Sequence, residues 1–288
     1  MRLTSAATLV MAGLTGLALA CAPASAPAPA PASVEPYVFL QLSDPQFGMF
    51  TADKDFAQET VNFEQAVAHV NRLRPAFVVI TGDLVNTPGD AAQMQEYDRI
   101  RRTIDASIPV YEMAGNHDVE NAPTPQALAA YRARYGQDRY TFRHENLLGI
   151  VLNSSLIHTP TAAPQEAAEQ EAWLRTQLDA ARRDAPRHIV VFQHHPWFLT
   201  SAGETDDYFN IPLARRTPLL ALLRDAGVKT LVSGHYHRNA GAIDGGFESI
   251  VTGAVGMPLG GSRSGLRAFR VTESAITHRF HALDEVPD

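Results

Sequence analysis

The sequence predicts an α/β protein built as a four-layer α/β/β/α sandwich, in which two packed mixed sheets lie between helices. Apolar, strand-like runs alternate along the chain with segments of helical periodicity. The second half adds several more strand-like segments, which implies a second sheet. Five of the apolar runs end directly in polar side chains, and the carboxyl ends of strands are where open α/β sheets bind their ligands.

Short apolar runs bounded by turn residues define the predicted strands. The strands that we expect are 38–42, 77–80, 108–113, 140–143, 148–153, 188–193, 228–232, 249–252, 266–271 and 276–280. Apolar residues that recur every three or four positions define the predicted helices. The helices that we expect are 55–73, 91–106, 126–135, 165–184 and 218–226. Pro186 and Gly227 end the last two of these helices.

Length and charge narrow the range of functions. A chain of 288 residues can form one large domain with a well-buried core, or two small ones. The net charge of −7 and the lack of a polybasic run exclude the basic surface that nucleic-acid binding needs. We therefore expect no nucleic-acid partner, and one catalytic domain that covers residues 37–288.

The first residues have the pattern of an export signal. Arg2 precedes a short apolar stretch, 9–20, which is too short to span a membrane. Residues 1–21 are therefore predicted to be a signal peptide. Cys21 is the only cysteine and directly follows the stretch, which indicates a bacterial lipoprotein acylated at that residue. Residues 22–36 are rich in proline and alanine and are predicted to be an extended tether.

Export places the protein in the bacterial cell envelope, either in the periplasm or as a membrane-anchored lipoprotein. Simple secretion is the alternative. The only membrane contact that we expect is the lipid at Cys21.

Side chains with metal-binding atoms follow five of the predicted strands. In chain order they are Asp44 with Gln46, then Asp83, Asn116, His194, and His235 with His237. Any one of these segments alone is only a turn, because Asn and Asp favour turns. Together their carboxylate, amide and imidazole donors suit Mn, Fe or Zn better than calcium. Six ligands around a central carboxylate, with Gln46 as a possible seventh, suit two ions, an arrangement that serves in-line phosphoryl displacement.

As an ordered set these motifs resemble those of the calcineurin-like metallophosphoesterases, over about residues 38–278. The likeness rests on Asp44-x-Gln46, Gly82-Asp83, Gly115-Asn116-His117-Asp118, Gln193-His194 and Gly234-His235-x-His237. Segments 43–48, 151–154, 206–210 and 234–241 are similar to an animal member of the family that is regarded as a Ser/Thr phosphatase. The resemblance implies the same sandwich fold.

The resemblance also implies how the ligands are divided. One ion would be held by Asp44, Asp83, His237 and Gln46, and the other by Asp83, Asn116, His194 and His235. Asp83 would bridge the two ions, together with a hydroxide that attacks phosphorus. His117 would not bind metal but would give a proton to the leaving oxygen, while Asp118 orients its ring.

Three positions depart from the patterns of relatives. Gln46 stands where most of the family has His, and it coordinates only through a neutral amide oxygen. Ala114 stands where classical Ser/Thr phosphatases have a phosphate-binding Arg. Asn86 stands where purple acid phosphatases have a Tyr, so no purple colour is expected.

Arg238, Asn153 and Tyr208 are further candidates for substrate binding, with Phe209 as a second aromatic contact beside Tyr208. Arg238 follows the metal-type histidines and could bind phosphate with two hydrogen bonds, or pair with a surface carboxylate. Asn153 ends a predicted strand, where a turn or cap role is the alternative. Tyr208 and Phe209 follow the acidic segment 204–207, which is either a solvated loop or a rim that disfavours acidic substrates.

The sequence therefore predicts a dinuclear phosphatase that hydrolyses phosphomonoesters, with a phosphorylated small molecule or a phosphoprotein as substrate. Protein phosphoserine or phosphothreonine is the finer form of this prediction. One alternative is a phosphodiesterase that acts on cyclic nucleotides or lipid head groups. The other is a binding or scaffold protein on the same fold with weak catalysis.

Overall fold

Two mixed sheets pack face to face at the centre of the structure, a computed structural model that describes residues 3, 5–9 and 35–287. Sheet 1 contains β1 (Tyr37–Leu42), β2 (Val78–Ile80), β3 (Val110–Glu112), β10 (Gly265–Val271) and β11 (Ile276–Ala282). Its spatial order is β11-β10-β1-β2-β3. Strands β1, β2 and β3 are parallel, whereas β10 runs antiparallel to β1 and to β11.

Sheet 2 is also mixed. It contains β4 (Tyr140–His144), β5 (Leu147–Val151), β6 (His188–Phe192), β7 (Thr230–Ser233), β8 (Ala240–Asp244) and β9 (Phe247–Val251). Its order is β4-β5-β6-β7-β9-β8, with four parallel strands at the centre and antiparallel β4 and β8 at the edges.

Helices cover the outer face of each sheet. They are α1 (Ala57–Leu73), α2 (Ala91–Arg101), α3 (Asn116–Val119), α4 (Pro125–Tyr135), α5 (Ser154–His158), α6 (Pro164–Asp184) and α7 (Leu213–Asp225). Short 3₁₀ helices lie at Pro160–Ala162 and Leu283–Glu285. Buried side chains of α1, α2 and α4 pack on sheet 1, and those of α6 and α7 pack on sheet 2. The predicted four-layer α/β/β/α sandwich is confirmed.

A third apolar core fills the space between the two sheets, and aromatic rings dominate it. Phe39 of β1 stacks between Phe77 and Phe269, at 4.6 and 4.5 Å between ring centroids. Its edge meets Phe192 of β6 at 6.0 Å, so one side chain joins both sheets. Such pairs add to the free energy gained by burying their area.

The structure differs from the sequence prediction at several elements. Edge strand β8 has no clear apolar alternation and is ordered by its pairing with β9. Short helix α3 lies in the segment predicted to be a turn, and α5 lies in a segment for which no element was predicted. Helix α7 begins at Leu213 rather than at Pro218, which lies inside it. Pro218 removes one hydrogen bond of this helix and crowds the carbonyl four residues before it, which is why the sequence favours a later start.

The N-terminal predictions concern residues that the structure largely leaves undescribed. Cys21 and most of segments 1–21 and 22–36 lie outside the described ranges, so the signal, anchor and tether stay predictions. Within residues 3, 5–9 and 35–287, no helix combines the length and apolar character needed to cross a membrane.

Phe39→Ala tests the core between the sheets. Phe39 is fully buried, so the change should leave a cavity and lower the free energy of unfolding by about 3–5 kcal/mol. Urea denaturation measures this. Val38→Ala on the same strand is the matched control, because Val38 is 38% exposed and should change stability by less than about 0.5 kcal/mol. Equal losses in both variants would contradict the assignment.

Candidate metal centre

The loops that leave the carboxyl ends of five parallel strands converge at one edge where the two sheets meet. The loops after β1, β2 and β3 carry Asp44, Asp83 and Asn116 from sheet 1. The loops after β6 and β7 carry His194, His235 and His237 from sheet 2. All six side chains, and that of Gln46, are buried. Each sheet therefore contributes about half of the centre.

Asp83 lies at the middle of this cluster. Its Oδ2 is 3.2 Å from Nε2 of His194, and Asp44 Oδ1 is 3.5 Å from Nε2 of His237. Two groups of possible metal ligands share Asp83, with donor atoms within 4.8 Å of one another: Asp83 with His194 and His235, and Asp83 with Asp44 and His237. This is the division that the resemblance implies, and the role of each ligand stays a prediction.

Backbone carbonyls set the tautomer of all three histidines. Nδ1 of His194 contacts Thr81 O at 2.8 Å, Nδ1 of His237 contacts Met257 O at 2.5 Å, and Nε2 of His235 contacts Tyr208 O at 3.3 Å. A carbonyl only accepts hydrogen bonds, so each of these nitrogens must carry the hydrogen. In the neutral form of each ring the other nitrogen would present a lone pair, as a metal ligand requires.

Hydrogen bonds also fix the orientation of the two amide side chains, Asn116 and Gln46. Nδ2 of Asn116 donates to Asn121 Oδ1 at 3.1 Å, while its Oδ1 lies 3.0 Å from Nε2 of His194. Nε2 of Gln46 donates to Asn86 Oδ1 at 3.1 Å. The Oε1 of Gln46 is buried and has no hydrogen-bond partner among the described residues. Such a buried orphan oxygen needs an explanation, and a metal ion would supply it.

The electrostatics of the cluster favour a cation. Within residues 35–287, only histidines provide a cationic group within ion-pair distance of Asp44 or Asp83. Burial lowers the pKa of His194, but the facing Asp83 carboxylate outweighs it and raises the pKa to about 9. Burial and the neighbouring His194 lower the pKa of His235 to about 3. The donor set therefore fits two metal ions with shared Asp83.

Unusual backbone geometry brings the ligands together. Five of them have positive φ: Asp44, Gln46, Asp83, His235 and His237. This left-handed region costs non-glycine residues about 1–3 kcal/mol each and persists only where surrounding contacts hold it. Two glycines allow the close approach. A Cβ on Gly115 would lie 2.1 Å from Asp83 Oδ1, and one on Gly234 would lie 1.9 Å from Ser43 Oγ.

His117 lies beside the cluster, and its backbone N–H donates to Asp83 Oδ1 at 2.9 Å. Its ring is held differently from the prediction. Nδ1 contacts the carbonyl of Asn86 at 2.6 Å, whereas the Asp118 carboxylate accepts backbone N–H groups of Gly115 at 2.8 Å and Leu84 at 3.0 Å. Asp118 therefore ties the β2 and β3 loops together, and the carbonyl of Asn86 orients the imidazole. A backbone carbonyl leaves no signal in the sequence.

The three substrate-binding candidates have different surroundings. Tyr208 is 53% exposed, and its ring centroid lies 5.0 Å from that of His235. Arg238 stacks over Tyr236 at 4.8 Å, and its buried Nε has no partner among the described residues. Asn153 is different, because it begins α5 and donates through Nδ2 to Asp138 at 3.0 Å. That contact is structural, but the buried Oδ1 of Asn153 has no partner among the described residues, and a role in substrate binding stays a prediction.

The acidic segment belongs to a well-anchored loop, 197–211, that carries Tyr208. Fully buried Arg216 donates to the carbonyls of Trp197, Ala202, Glu204 and Ile211 within this loop. The Glu204 carboxylate accepts the backbone N–H groups of residues 199–201. Glu204 is therefore a structural residue, whereas the exposed Asp206 and Asp207 remain on the surface. The sequence pattern did not indicate the role of Arg216.

The convergence of metal-type ligands at one edge of an α/β/β/α sandwich defines a phosphoesterase type of protein. The calcineurin-like phosphoesterase family model matches residues 37–239, so this chain belongs to that family and is a phosphoesterase. Serine/threonine-protein phosphatase CPPED1 of Bos taurus is 41% identical over an alignment 268 residues long, which covers 88% of this chain and 86% of that protein.

Solved structures share the fold at low sequence identity. A dimetal phosphatase from Danio rerio has a TM-score of 0.62 at 16% identity and covers 86% of this chain and 97% of its own. GAP50, described as the anchor in the inner membrane complex of Plasmodium, has a TM-score of 0.65 at 15% identity, with 86% and 85% covered. The same architecture therefore occurs in proteins with different described roles.

Gly115→Ala tests the close approach at the metal centre. The added Cβ would collide with Asp83, so we expect metal affinity to fall by about 10- to 100-fold. Metal content after dialysis, measured by plasma mass spectrometry, reports the change. Gly203→Ala is the control, because a Cβ there meets no atom within 4 Å. Normal metal content in Gly115→Ala would show that Asp83 can move without loss.

Proposed function

We propose that this phosphoesterase is a metal-dependent phosphatase that hydrolyses phosphomonoesters, and that phosphoserine or phosphothreonine in proteins is its substrate class. The observation that carries the proposal is the pair of buried ligand groups that share Asp83. The relative from Bos taurus, which bears the name of a serine/threonine phosphatase, supports the finer statement.

The residues proposed to hold two ions, drawn from Mn, Fe or Zn, form two sets. Asp44, Asp83, His237 and Gln46 would hold one, and Asp83, Asn116, His194 and His235 the other. Bound ions supply Lewis-acid stabilisation of the phosphoryl oxygens and make a coordinated water more acidic. The chain itself supplies ligands whose tautomers and amide orientations are set before an ion arrives, which reduces rearrangement on binding.

His117 is proposed to be the proton donor to the leaving oxygen. Its Nδ1 must carry a hydrogen, because it contacts the acceptor-only carbonyl of Asn86. Nε2 is therefore the nitrogen that can hold or release a proton during the reaction. The backbone bond from His117 to Asp83 keeps the imidazole beside the proposed ions.

Arg238 is proposed to bind the phosphoryl group of the substrate. No carboxylate of residues 35–287 lies within ion-pair distance of its guanidinium, whereas most other arginines of the chain have such a partner. A row of rings, Tyr236, Phe209 and His235, links it to the metal centre at centroid distances of 4.9 and 5.6 Å. Tyr208, on the same rim, would contact the organic part of the ester.

Hydrolysis of para-nitrophenyl phosphate and of its bis-ester by residues 37–288 tests the proposal. We expect faster turnover of the monoester in the presence of Mn, Fe or Zn, and loss of that turnover in Asp83→Asn. Phosphopeptides follow in the same assay. Preference for the bis-ester would favour a phosphodiesterase that acts on cyclic nucleotides or lipid head groups.

A binding or scaffold protein is the second candidate function. The structural likeness to GAP50, described as an anchor, favours it as an alternative. Metal content separates the two functions. A scaffold would retain less than one ion per chain and turn over neither ester with any added metal.

His117→Ala separates a proton donor from a ligand. Because the side chain is assigned to proton transfer, kcat should fall by about 10²- to 10⁴-fold while the bound metal is unchanged. Metal content and steady-state kinetics measured on the same sample check this. A matching loss of metal would make His117 a ligand and overturn the assignment.

We also propose that the protein is exported to the bacterial cell envelope and anchored by a lipid at Cys21, through a tether at 22–36. Support comes from the apolar stretch before Cys21 and the proline-rich composition after it. In a bacterial host, Cys21→Ser should move the protein from the membrane fraction to the soluble fraction. Unchanged membrane association would overturn the anchor, and secretion would then explain the signal.

A further inference from the structure

A continuous row of hydrogen bonds crosses the interior from sheet 1, through sheet 2, to a ligand of the proposed metal centre. We call this row the Asp44 relay. Its members, in order, are Arg267, Thr252, Gln41, Thr81, Ser43 and Asp44. Arg267 is 6% exposed, and the other five are fully buried. Buried polar groups of this kind act together, so a change at one end can affect the other.

The relay has only one possible direction at its arginine end. Nε of Arg267 donates to Thr252 Oγ1 at 2.7 Å, because a guanidinium has donors and no acceptor. The single hydroxyl hydrogen of Thr252 is then free to point to Oε1 of Gln41 at 2.6 Å. The Thr252 hydroxyl, which lies on the Arg267 side of the relay, therefore donates to the oxygen of the Gln41 amide.

The Gln41 amide keeps the same order of donor and acceptor along the relay. Its Nε2 donates to Thr81 Oγ1 and to the carbonyl of Ser233, both at 3.0 Å. A flipped amide would set its oxygen against the Ser233 carbonyl, so this orientation is determined by the contacts. The Thr81 hydroxyl accepts from Gln41 and donates to Ser43 Oγ at 2.8 Å, which is closer than its other acceptor, the carbonyl of Leu42 at 3.3 Å.

The relay ends on the ligand. The Ser43 hydroxyl accepts from Thr81, so its own hydrogen goes to Oδ2 of Asp44. Oδ1 of Asp44 faces Nε2 of His237, which belongs to the same proposed metal group. Each hydroxyl along the row thus points its hydrogen toward Asp44, with a donor-only group at one end and an acceptor-only carboxylate at the other.

The charges of Arg267 and Asp44, the two ends of the relay, agree with this direction of the hydrogen bonds. No carboxylate lies within ion-pair distance of Arg267 among the described residues, and Glu248 is connected to it through His278, at 2.9 and 3.0 Å. Burial lowers the pKa of Arg267 to about 10, so the guanidinium keeps its charge at neutral pH. A buried cation and a buried carboxylate are therefore connected through neutral groups that can all align their dipoles.

We propose that Arg267 is a remote positioning residue for Asp44. Through the relay it keeps the Ser43 hydroxyl directed at Oδ2, and together with the backbone N–H of His235, which lies 3.1 Å from Oδ1, this would hold the Asp44 carboxylate in one orientation toward the proposed metal centre. The inference rests on the proposed metal centre but assigns a role to residues that would not touch an ion. Partners of metal ligands typically change metal affinity by about 10- to 100-fold when removed.

Thr252→Val tests the relay, because it removes the hydroxyl between Arg267 and Gln41 with little change of shape. The full chain is stripped with a chelator and titrated with Mn²⁺, and free and spin-coupled Mn²⁺ are followed by electron paramagnetic resonance. We expect one of the two Mn²⁺ ions to bind about tenfold more weakly, with loss of the spin-coupled pair. Ser43→Ala should have at least as large an effect.

Two comparisons separate positioning from a general loss of packing. Ser249→Ala is the matched control, since it removes a buried hydroxyl that donates to Phe198 O at 2.8 Å outside the relay, and it should leave Mn²⁺ affinity unchanged. Thr252→Ser keeps the hydroxyl and should bind Mn²⁺ as the unmodified protein does. Thermal unfolding of the metal-free samples shows which variants are folded.

The double variant Ser43→Ala with Thr252→Val is decisive. If Thr252 acts through Ser43, the double variant should bind Mn²⁺ as Ser43→Ala does, because the second change has nothing left to act on. Additive losses, or normal Mn²⁺ binding by Thr252→Val, would overturn the relay. Should Thr252→Val not fold, Thr81→Val cuts the same row and replaces it in every comparison. An unmodified protein that binds no metal ion would instead overturn the proposed function, and the relay with it.

Discussion

Two buried carboxylates, Asp44 and Asp83, impose the constraint on which the structure around the centre depends. A buried charge is costly unless a partner compensates it, and no lysine or arginine of residues 35–287 contacts either group. The compensation comes from imidazoles and backbone N–H groups that other loops bring to them. Because the carboxylates come from sheet 1 and the imidazoles from sheet 2, the same electrostatic need that favours cations also holds the two sheets together at this edge.

The need to compensate these two carboxylates also determines the backbone conformation of the loops around them. Five ligand residues adopt left-handed backbone conformations, and Gly115 and Gly234 leave room that any side chain would fill. Contacts outside the ligand set hold these conformations in place, among them the backbone bonds to Asp118 and the carbonyls that accept from the three histidines. Strain of this kind is stored where a fold supports chemistry, and its cost is offset by the packed aromatic core between the sheets.

The surface beside the centre is equally well ordered. Arg216 lies inside loop 197–211 and satisfies four of its carbonyls, so the loop that presents Tyr208 is anchored from below. Buried Arg216 thus anchors the loop beside the metal centre, and buried Arg267 is proposed to position the ligand Asp44. Both use the rigid fork of the guanidinium to organise neutral acceptors, and Arg216 also lies 4.0 Å from the Glu204 carboxylate.

Much of this protein was determined by local sequence. The order of strands and helices, the two sheets and the polar residues at five strand ends follow from periodicity, and the family follows from the motifs at those ends. Tertiary structure alone decided three further matters: that Asn86 rather than Asp118 holds the His117 ring, that Asn153 faces Asp138, and that Arg267 connects to Asp44. The reason is physical. Periodicity and turn chemistry act between neighbours in the chain, whereas these contacts join backbone carbonyls and side chains up to 211 residues apart, which only the pairing of strands within each sheet and the packing of the two sheets bring within hydrogen-bond distance.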